Sequence, residues 1–361
     1  SRPARGDIRE AMIDLPSRTA TWPPLPSWQT AIAASALAHR QRWPHALLIT
    51  GRRGLGKRLL ALHFARALLC EAPLESGEAC GVCPSCGYVG QGTHPDLQLI
   101  EPVTYDEEGN PTPVDTINVE RVRELIEFTQ LSPHRQRAKV GLIAPAEAMN
   151  AAAANALLKT LEEPPAGTFL LLVSHQPARL PPTILSRCLR LPAPEPDRAA
   201  AAAWLAQNSV VNADPELVLA QAGGAPLFAL SLAGADIQRE RDHLLLQLAQ
   251  PERLSPLAFG ARLDSAPKDE RKAQLANAVY WLLAWTADLA SVAAGAAPSF
   301  NPDHRDALSR LAARVALVPL FRYYRVLLRQ RALLSHPLQP RWVAEALLIE
   351  YRKLFARGQV N

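Results

Sequence analysis

The stretch Ala46-Leu47-Leu48-Ile49-Thr50-Gly51-Arg52-Arg53-Gly54-Leu55-Gly56-Lys57-Arg58 decides how this chain is read. Residues 46–50 are an unbroken, largely apolar run and predict a strand buried on both faces. The glycines predict a turn, and residues 57–69 carry a helical period. Strand, glycine-rich loop and helix in this order are the context of a phosphate-binding loop. There, glycines let backbone N–H groups wrap an anion at the helix N-terminus, a Lys neutralises the terminal phosphates, and a Ser or Thr hydroxyl ligates Mg²⁺. Gly51, Gly54, Gly56 and Lys57 supply the cradle. Arg58 stands at the hydroxyl position, where a guanidinium repels a cation instead of ligating it. The expectation is a loop that binds nucleotide weakly or not at all; a plain glycine turn that binds nothing is the alternative.

Outward from this loop, residues 97–100, 140–144 and 169–174 read as further buried strands, and 119–131 and 150–162 as helices. Strands alternating with helices predict an α/β domain with a mostly parallel sheet. Hydrolysis on such a sheet also needs an acidic pair at a neighbouring strand tip, one carboxylate for Mg²⁺ and one for water. The strand at 140–144 instead ends in Ala144-Pro145, and Glu147 comes too late. Both halves of the Mg²⁺ and water machinery are therefore missing.

Of five cysteines, Cys70, Cys80, Cys83 and Cys86 cluster and Cys188 stands apart. Four thiolates at this spacing suit a closed, structural tetrahedral Zn²⁺ site. An iron–sulfur cluster is the alternative, without the C-x3-C-P step that usually completes such a run, and unligated thiols are another. His94 is a candidate substitute ligand, although Thr93-His94-Pro95-Asp96 reads more easily as a turn entering a strand.

The length of 361 residues predicts two or three domains, and 48% hydrophobic with 20% charged residues excludes a disordered tail and a small stapled scaffold. Residues 1–24 lack apolar periodicity and read as a loose leader. Pro192 to Pro196 reads as a hinge. The short segments 197–207, 214–221 and 225–233 predict a small helical lid packed on the first domain. The longer ones at 238–249, 269–294, 303–330 and 340–356 predict a helical bundle. No secretory signal is recognised, which points to the cytoplasm. Residues 275–297 are the most membrane-like, but Asn277 and Asp288 interrupt them, so a buried helix is expected and no membrane contact. The net charge of +5 is weak evidence for nucleic acid.

Together, the run from His45 to Ile49, the Cys70–Cys86 module, Gly92-Thr93-His94-Pro95-Asp96, the run from Asn155 to Pro165 and Ser186-Arg187-Cys188 resemble the clamp-loader subunits of bacterial DNA polymerase III, an AAA+ family. The resemblance implies a RecA-like AAA+ domain over 25–192 with a zinc module at 70–86, a lid over 193–237 and a collar for oligomerisation over 238–361. Motor subunits of the gamma/tau type carry Thr or Ser after the loop Lys and an Asp-Glu pair on the third strand. Arg58, Ala144 and Pro145 depart from that pattern, as does Leu227, which aligns approximately with the motors' lid arginine. The chain is thus similar to the non-hydrolysing, delta-prime branch. The resemblance further implies a hetero-oligomeric ring with motor and delta subunits, acting on the sliding clamp and primer-template DNA. It gives Arg187, otherwise an ordinary surface arginine, the role of an arginine finger acting in trans. The competing expectations are an active clamp-loader or stand-alone P-loop ATPase and a zinc-dependent DNA-binding module.

Overall fold

A computed structural model describes residues 25–39, 42–105, 111–135, 137–208, 214–334 and 339–356; the expected leader at 1–24 lies outside them. The described residues divide into two compact units, one ending at Ala200 and the other starting at Ala201.

The first unit begins with α1 (Ser27–Ala38), β1 (Ala46–Thr50), α2 (Lys57–Leu69), α3 (Pro84–Gly90) and β2 (Leu97–Ile100). A small antiparallel hairpin, β3 (Val103–Tyr105) with β4 (Pro111–Pro113), follows, then α4 (Val119–Gln130), β5 (Lys139–Ile143), α5 (Ala151–Glu162), β6 (Thr168–Ser174), α6 (Pro182–Leu185) and β7 (Leu189–Pro192). The main sheet has the order β2-β5-β6-β1-β7, all parallel. Its central strands are sorted by the two-residue period of a strand. Leu47, Ile49, Leu171 and Val173 pack with Leu60, Phe64 and Leu68 of α2, while Ala46, Leu48, Leu170 and Leu172 pack with Val122, Leu125, Leu157 and Leu161 of α4 and α5. Side chains buried on both faces explain why these strands read as unbroken apolar runs. At Gly141 in β5 a Cβ would lie 2.8 Å from Leu125 Cδ1 and 2.9 Å from Leu170 Cδ2, so glycine is what lets α4 approach the sheet. Side-chain caps fix two helix starts: Asn118 accepts from Arg121 N at 3.1 Å, and Asn150 from Ala153 N at 2.8 Å.

The strands expected at 140–144 and 169–174 each begin one residue earlier, and β7, α1, α3, α6 and the hairpin were not anticipated. β7 is an edge strand with mostly exposed side chains, so it has no apolar run, and Pro192 at its end is tolerated because it pairs on one side only.

Helix α7 (Arg198–Asn208) crosses the division at Ala200. The second unit continues with α8 (Pro215–Gln221), α9 (Pro226–Leu232), α10 (Ala235–Leu248), α11 (Pro256–Ser265), α12 (Lys268–Ala293), α13 (Arg305–Ala312), α14 (Leu317–Leu333) and α15 (Pro340–Lys353). Its core centres on α12, where Val279, Leu282, Trp285 and Leu289 are buried. Trp285 Nε1 donates to Tyr351 Oη at 2.8 Å, which donates to Leu248 O at 2.9 Å, so α12, α15 and α10 share one buried chain of hydrogen bonds. Phe228 of α9 packs edge-on against Tyr280, whose hydroxyl donates to Gln221 O at the end of α8, joining residues of the expected lid to α12. Asp288 is buried and accepts from the backbone N–H groups of Ser299, Phe300 and Asn301. No helix among the described residues is long and apolar enough to cross a membrane. The single helix expected over 303–330 is two, α13 and α14, because Pro319 lacks an N–H and fits a first helical turn but not a helix interior.

Candidate functional site

The phosphate loop has the turn geometry that its glycines predict. Gly54 and Gly56 sit at φ of +79° and +87°, in the left-handed region. A side chain at Gly56 would meet Gln29 Nε2 at 3.0 Å. Gln29, fully buried on α1, donates to Leu55 O at 2.6 Å, and Trp28 Nε1 donates to the same carbonyl at 3.1 Å, so α1 locks the loop from below. Lys57 is 1% exposed and its Nζ donates to Arg52 O at 2.5 Å. The lysine that neutralises phosphate in a working loop is here tied to the loop's own backbone.

Arg58 points a two-pronged guanidinium at Glu101, with Nε and Nη2 at 2.6 and 3.1 Å from the two carboxylate oxygens. Both side chains are only about 15% exposed. Glu101 directly follows β2, so the carboxylate at this strand tip is spent on the guanidinium that stands where a working loop carries its hydroxyl. Glu147, beyond the tip of β5, commits one oxygen: its Oε1 accepts from His175 N at 2.8 Å and Gln176 N at 3.1 Å, next to the end of β6, while Oε2 is buried without a hydrogen-bond partner among the described residues. Ala144 and Pro145 offer no ligand. At the rim Arg52 pairs with Glu195 at 2.8 Å, an exposed contact of little energetic weight. The pairings of Arg58 and Glu147 need the tertiary fold, and the spacing of the motif carries no signal for them, whereas Lys57 closes on a carbonyl of its own loop.

The four clustered cysteines do come together. All four sulfurs lie within 4.8 Å of one another, and Cys70 and Cys83 Sγ are 3.9 Å apart. Four sulfurs about 2.3 Å from a central ion form a tetrahedron with edges of about 3.8 Å, so the donor set fits a tetrahedral metal. Backbone N–H groups already face the sulfurs: Cys80 N donates to Cys70 Sγ at 3.3 Å and Cys83 N to Cys80 Sγ at 3.3 Å. Burial raises the Cys70 thiol and pushes Cys86 up to about 12. At Cys83 burial is outweighed by backbone N–H groups of Cys86 and Glu71, which bring it down to about 6. The N–H groups of Val82 and Cys83 likewise lower Cys80.

His94 is not a fifth donor. Its Nδ1 accepts from Asp96 N at 3.0 Å, which leaves the proton on Nε2 to face Ser85 Oγ at 3.1 Å. Burial lowers its pKa, in keeping with a neutral ring. Ser85 donates to Glu71 at 2.8 Å, and Glu71 accepts from Arg135 Nε at 2.8 Å. Asp96, fully buried, accepts from His134 N and Arg135 N at 2.8 and 2.9 Å. This network, unseen in the sequence, anchors the cysteine module to the loop before β5.

Arg187 lies just before β7, partly exposed. Its Nε donates to Glu162 Oε1 at 2.7 Å, and its Nη1 donates to Thr183 O at 2.9 Å and Ser186 Oγ at 3.2 Å. Glu162, at the end of α5, thus holds the guanidinium against the chain's own surface. Leu227 is buried in α9, where it serves packing.

The family model described as DNA polymerase III, delta subunit, matches residues 29–196. The chain is 44% identical to the DNA polymerase III subunit delta-prime of Pseudomonas aeruginosa, over 64% of this chain and 69% of that one. It is 38% identical to the delta-prime subunit of Escherichia coli, over 58% of this chain and 60% of the relative. Among solved structures, a gamma-subunit-related protein of Thermotoga maritima is similar with a TM-score of 0.43 at 17% identity, covering 89% of this chain and 99% of that one. By its identity to the Pseudomonas subunit over more than two thirds of that subunit's length, the chain belongs to the family of DNA polymerase III delta-prime subunits.

Proposed function

We propose that the chain is a non-motor member of the clamp-loader ring, holding a fixed position beside a gamma/tau-type motor subunit and donating Arg187 to the nucleotide bound there. The observation that carries this reading is the Arg58–Glu101 pair: a guanidinium and a carboxylate neutralise each other where a motor needs a hydroxyl and a metal ion. With Lys57 tied to Arg52 O and Arg58 to Glu101, the loop itself has no side chain poised to hold Mg²⁺, and Glu147 beyond β5 holds one of its oxygens on backbone N–H groups. The four cysteines hold a structural Zn²⁺ that stiffens the segment between α2 and β2. Residues 238–361 serve as the collar through which the ring assembles, with delta subunit, sliding clamp and primer-template DNA reached through the complex.

The family resemblance supplies the role of Arg187, and chemistry explains why an arginine fills it. A planar, permanently charged fork stabilises charge on a transferring phosphoryl group better than Lys. Its bond to Glu162 is an exposed ion pair worth about 0–1 kcal/mol, so exchanging that carboxylate for a phosphate costs little. Two measurements test the reading together. The isolated chain is expected to hydrolyse no ATP above background; turnover abolished by Lys57→Ala would make it an ATPase in its own right. In a reconstituted loader, Arg187→Ala is expected to leave assembly intact and lower DNA-stimulated ATP hydrolysis partially, since only one interface loses its finger. Wild-type hydrolysis with the variant in place would make Arg187 a plain surface residue.

A further inference from the structure

The net charge of the whole chain is +5, yet from residue 305 to 353 ten Lys and Arg face three Asp and Glu, an excess of seven. The core of this surplus lies on α14, which contains no acidic residue between Leu317 and Leu333. Leu320, Tyr323 and Leu327 are its buried face, spaced three and four residues apart. Arg322, Arg325 and Arg329 repeat the same spacing on the opposite side of the cylinder and are exposed. Val318 and Phe321, 61% and 53% exposed, lie at the N-terminal end of that face, and Leu333 at its C-terminal end.

Exposed arginines three and four residues apart on one helix repel one another weakly, and an anion bound across the row relieves that repulsion. Successive guanidinium groups are separated by about 4.5 and 6 Å of helix rise. Each is a rigid fork suited to a phosphate, and Phe321 offers a flat apolar surface beside the row on which a base can stack. An acidic peptide would answer the charge but not the exposed aromatic ring. We infer that this face of α14, through Arg322, Arg325, Arg329 and Phe321, is a sequence-independent docking surface for single-stranded nucleic acid. The inference concerns residues of the second unit alone, and it stands whether or not Arg187 acts as a finger.

The test uses the full chain and fluorescein-labelled oligothymidylate, with binding followed by anisotropy across a salt series. Three phosphate contacts on a single strand contribute about 2 to the slope of log affinity against log salt. The triple variant Arg322→Gln/Arg325→Gln/Arg329→Gln is therefore expected to bind more weakly and to lose about that much slope, with unchanged far-ultraviolet circular dichroism. Phe321→Ala, which leaves every charge in place, is expected to weaken binding while keeping the slope. An unchanged affinity and slope in the triple variant overturns the inference. So does polyglutamate competing as well as unlabelled oligothymidylate at equal charge, which would assign the face to an acidic protein partner.

Discussion

At Arg58 the chemistry of the whole site turns on one side chain. Its pairing with Glu101 is nearly enclosed, which sets the energetics: a partly buried ion pair contributes little net stability compared with an apolar pair, but removing one partner leaves a charge without compensation. Glu101→Ala is therefore expected to destabilise the first unit by about 1–3 kcal/mol, whereas the double variant Arg58→Met/Glu101→Leu is expected near wild type. Denaturant unfolding of the three proteins compares the two costs; equal costs for the single and double variants would show that the pair is incidental. Arg58 was legible as a departure from a working loop, and Lys57 as a retained part of it, because the motif is local. The partners of Arg58 and Arg187 were not, since Glu101 and Glu162 are brought to them by tertiary packing that no spacing encodes.

At the level of elements, the legible parts were those whose periodicity or spacing is local: β1, the loop and α2, whose predicted bounds hold, and the four cysteines, which converge as their spacing required. Edge strand β7 and the break before Pro319 escaped because neither carries a burial period. The cysteine module makes a direct test of its metal possible. Purified chain is expected to contain about one equivalent of zinc, and Cys83→Ser to lose most of it and to expose residues 70–86 to protease while the sheet stays folded. Absence of zinc from protein prepared without chelator would remove the metal from the module. The sheet itself is sensitive at Gly141, where any side chain runs into Leu125 and Leu170 at under 3 Å. Gly141→Val is expected to cost about 1–3 kcal/mol or more by overpacking the α4 face, even though valine suits a strand. A midpoint of unfolding equal to wild type would mean that α4 shifts freely, contrary to the packing around it.

At the scale of the whole chain, the boundaries expected from sequence and the units found by packing make different forecasts for truncation. The sequence placed a lid at 193–237 apart from a collar at 238–361. In the structure residues from Ala201 onward form one unit, in which Phe228 and Gln221 meet Tyr280 of α12. A chain ending at Pro196 keeps the entire five-stranded sheet, both of its cores and the four cysteines, so it is expected to unfold cooperatively and retain its metal. Extending that chain to residue 237 adds α8 and α9 without α12, and leaves buried Phe228 without Tyr280, the ring it packs on. Such a side chain forfeits about 1.5–3 kcal/mol of burial when uncovered, more than two seven-residue helices can recover by themselves. The longer fragment is thus expected to be no more stable than the shorter one and to be cut first between residues 201 and 237. Limited proteolysis with mass spectrometry, alongside thermal unfolding of both fragments, decides the matter. Protection of 201–237 in the longer fragment would show that these helices hold without α12, as expected of a lid packed on the first domain.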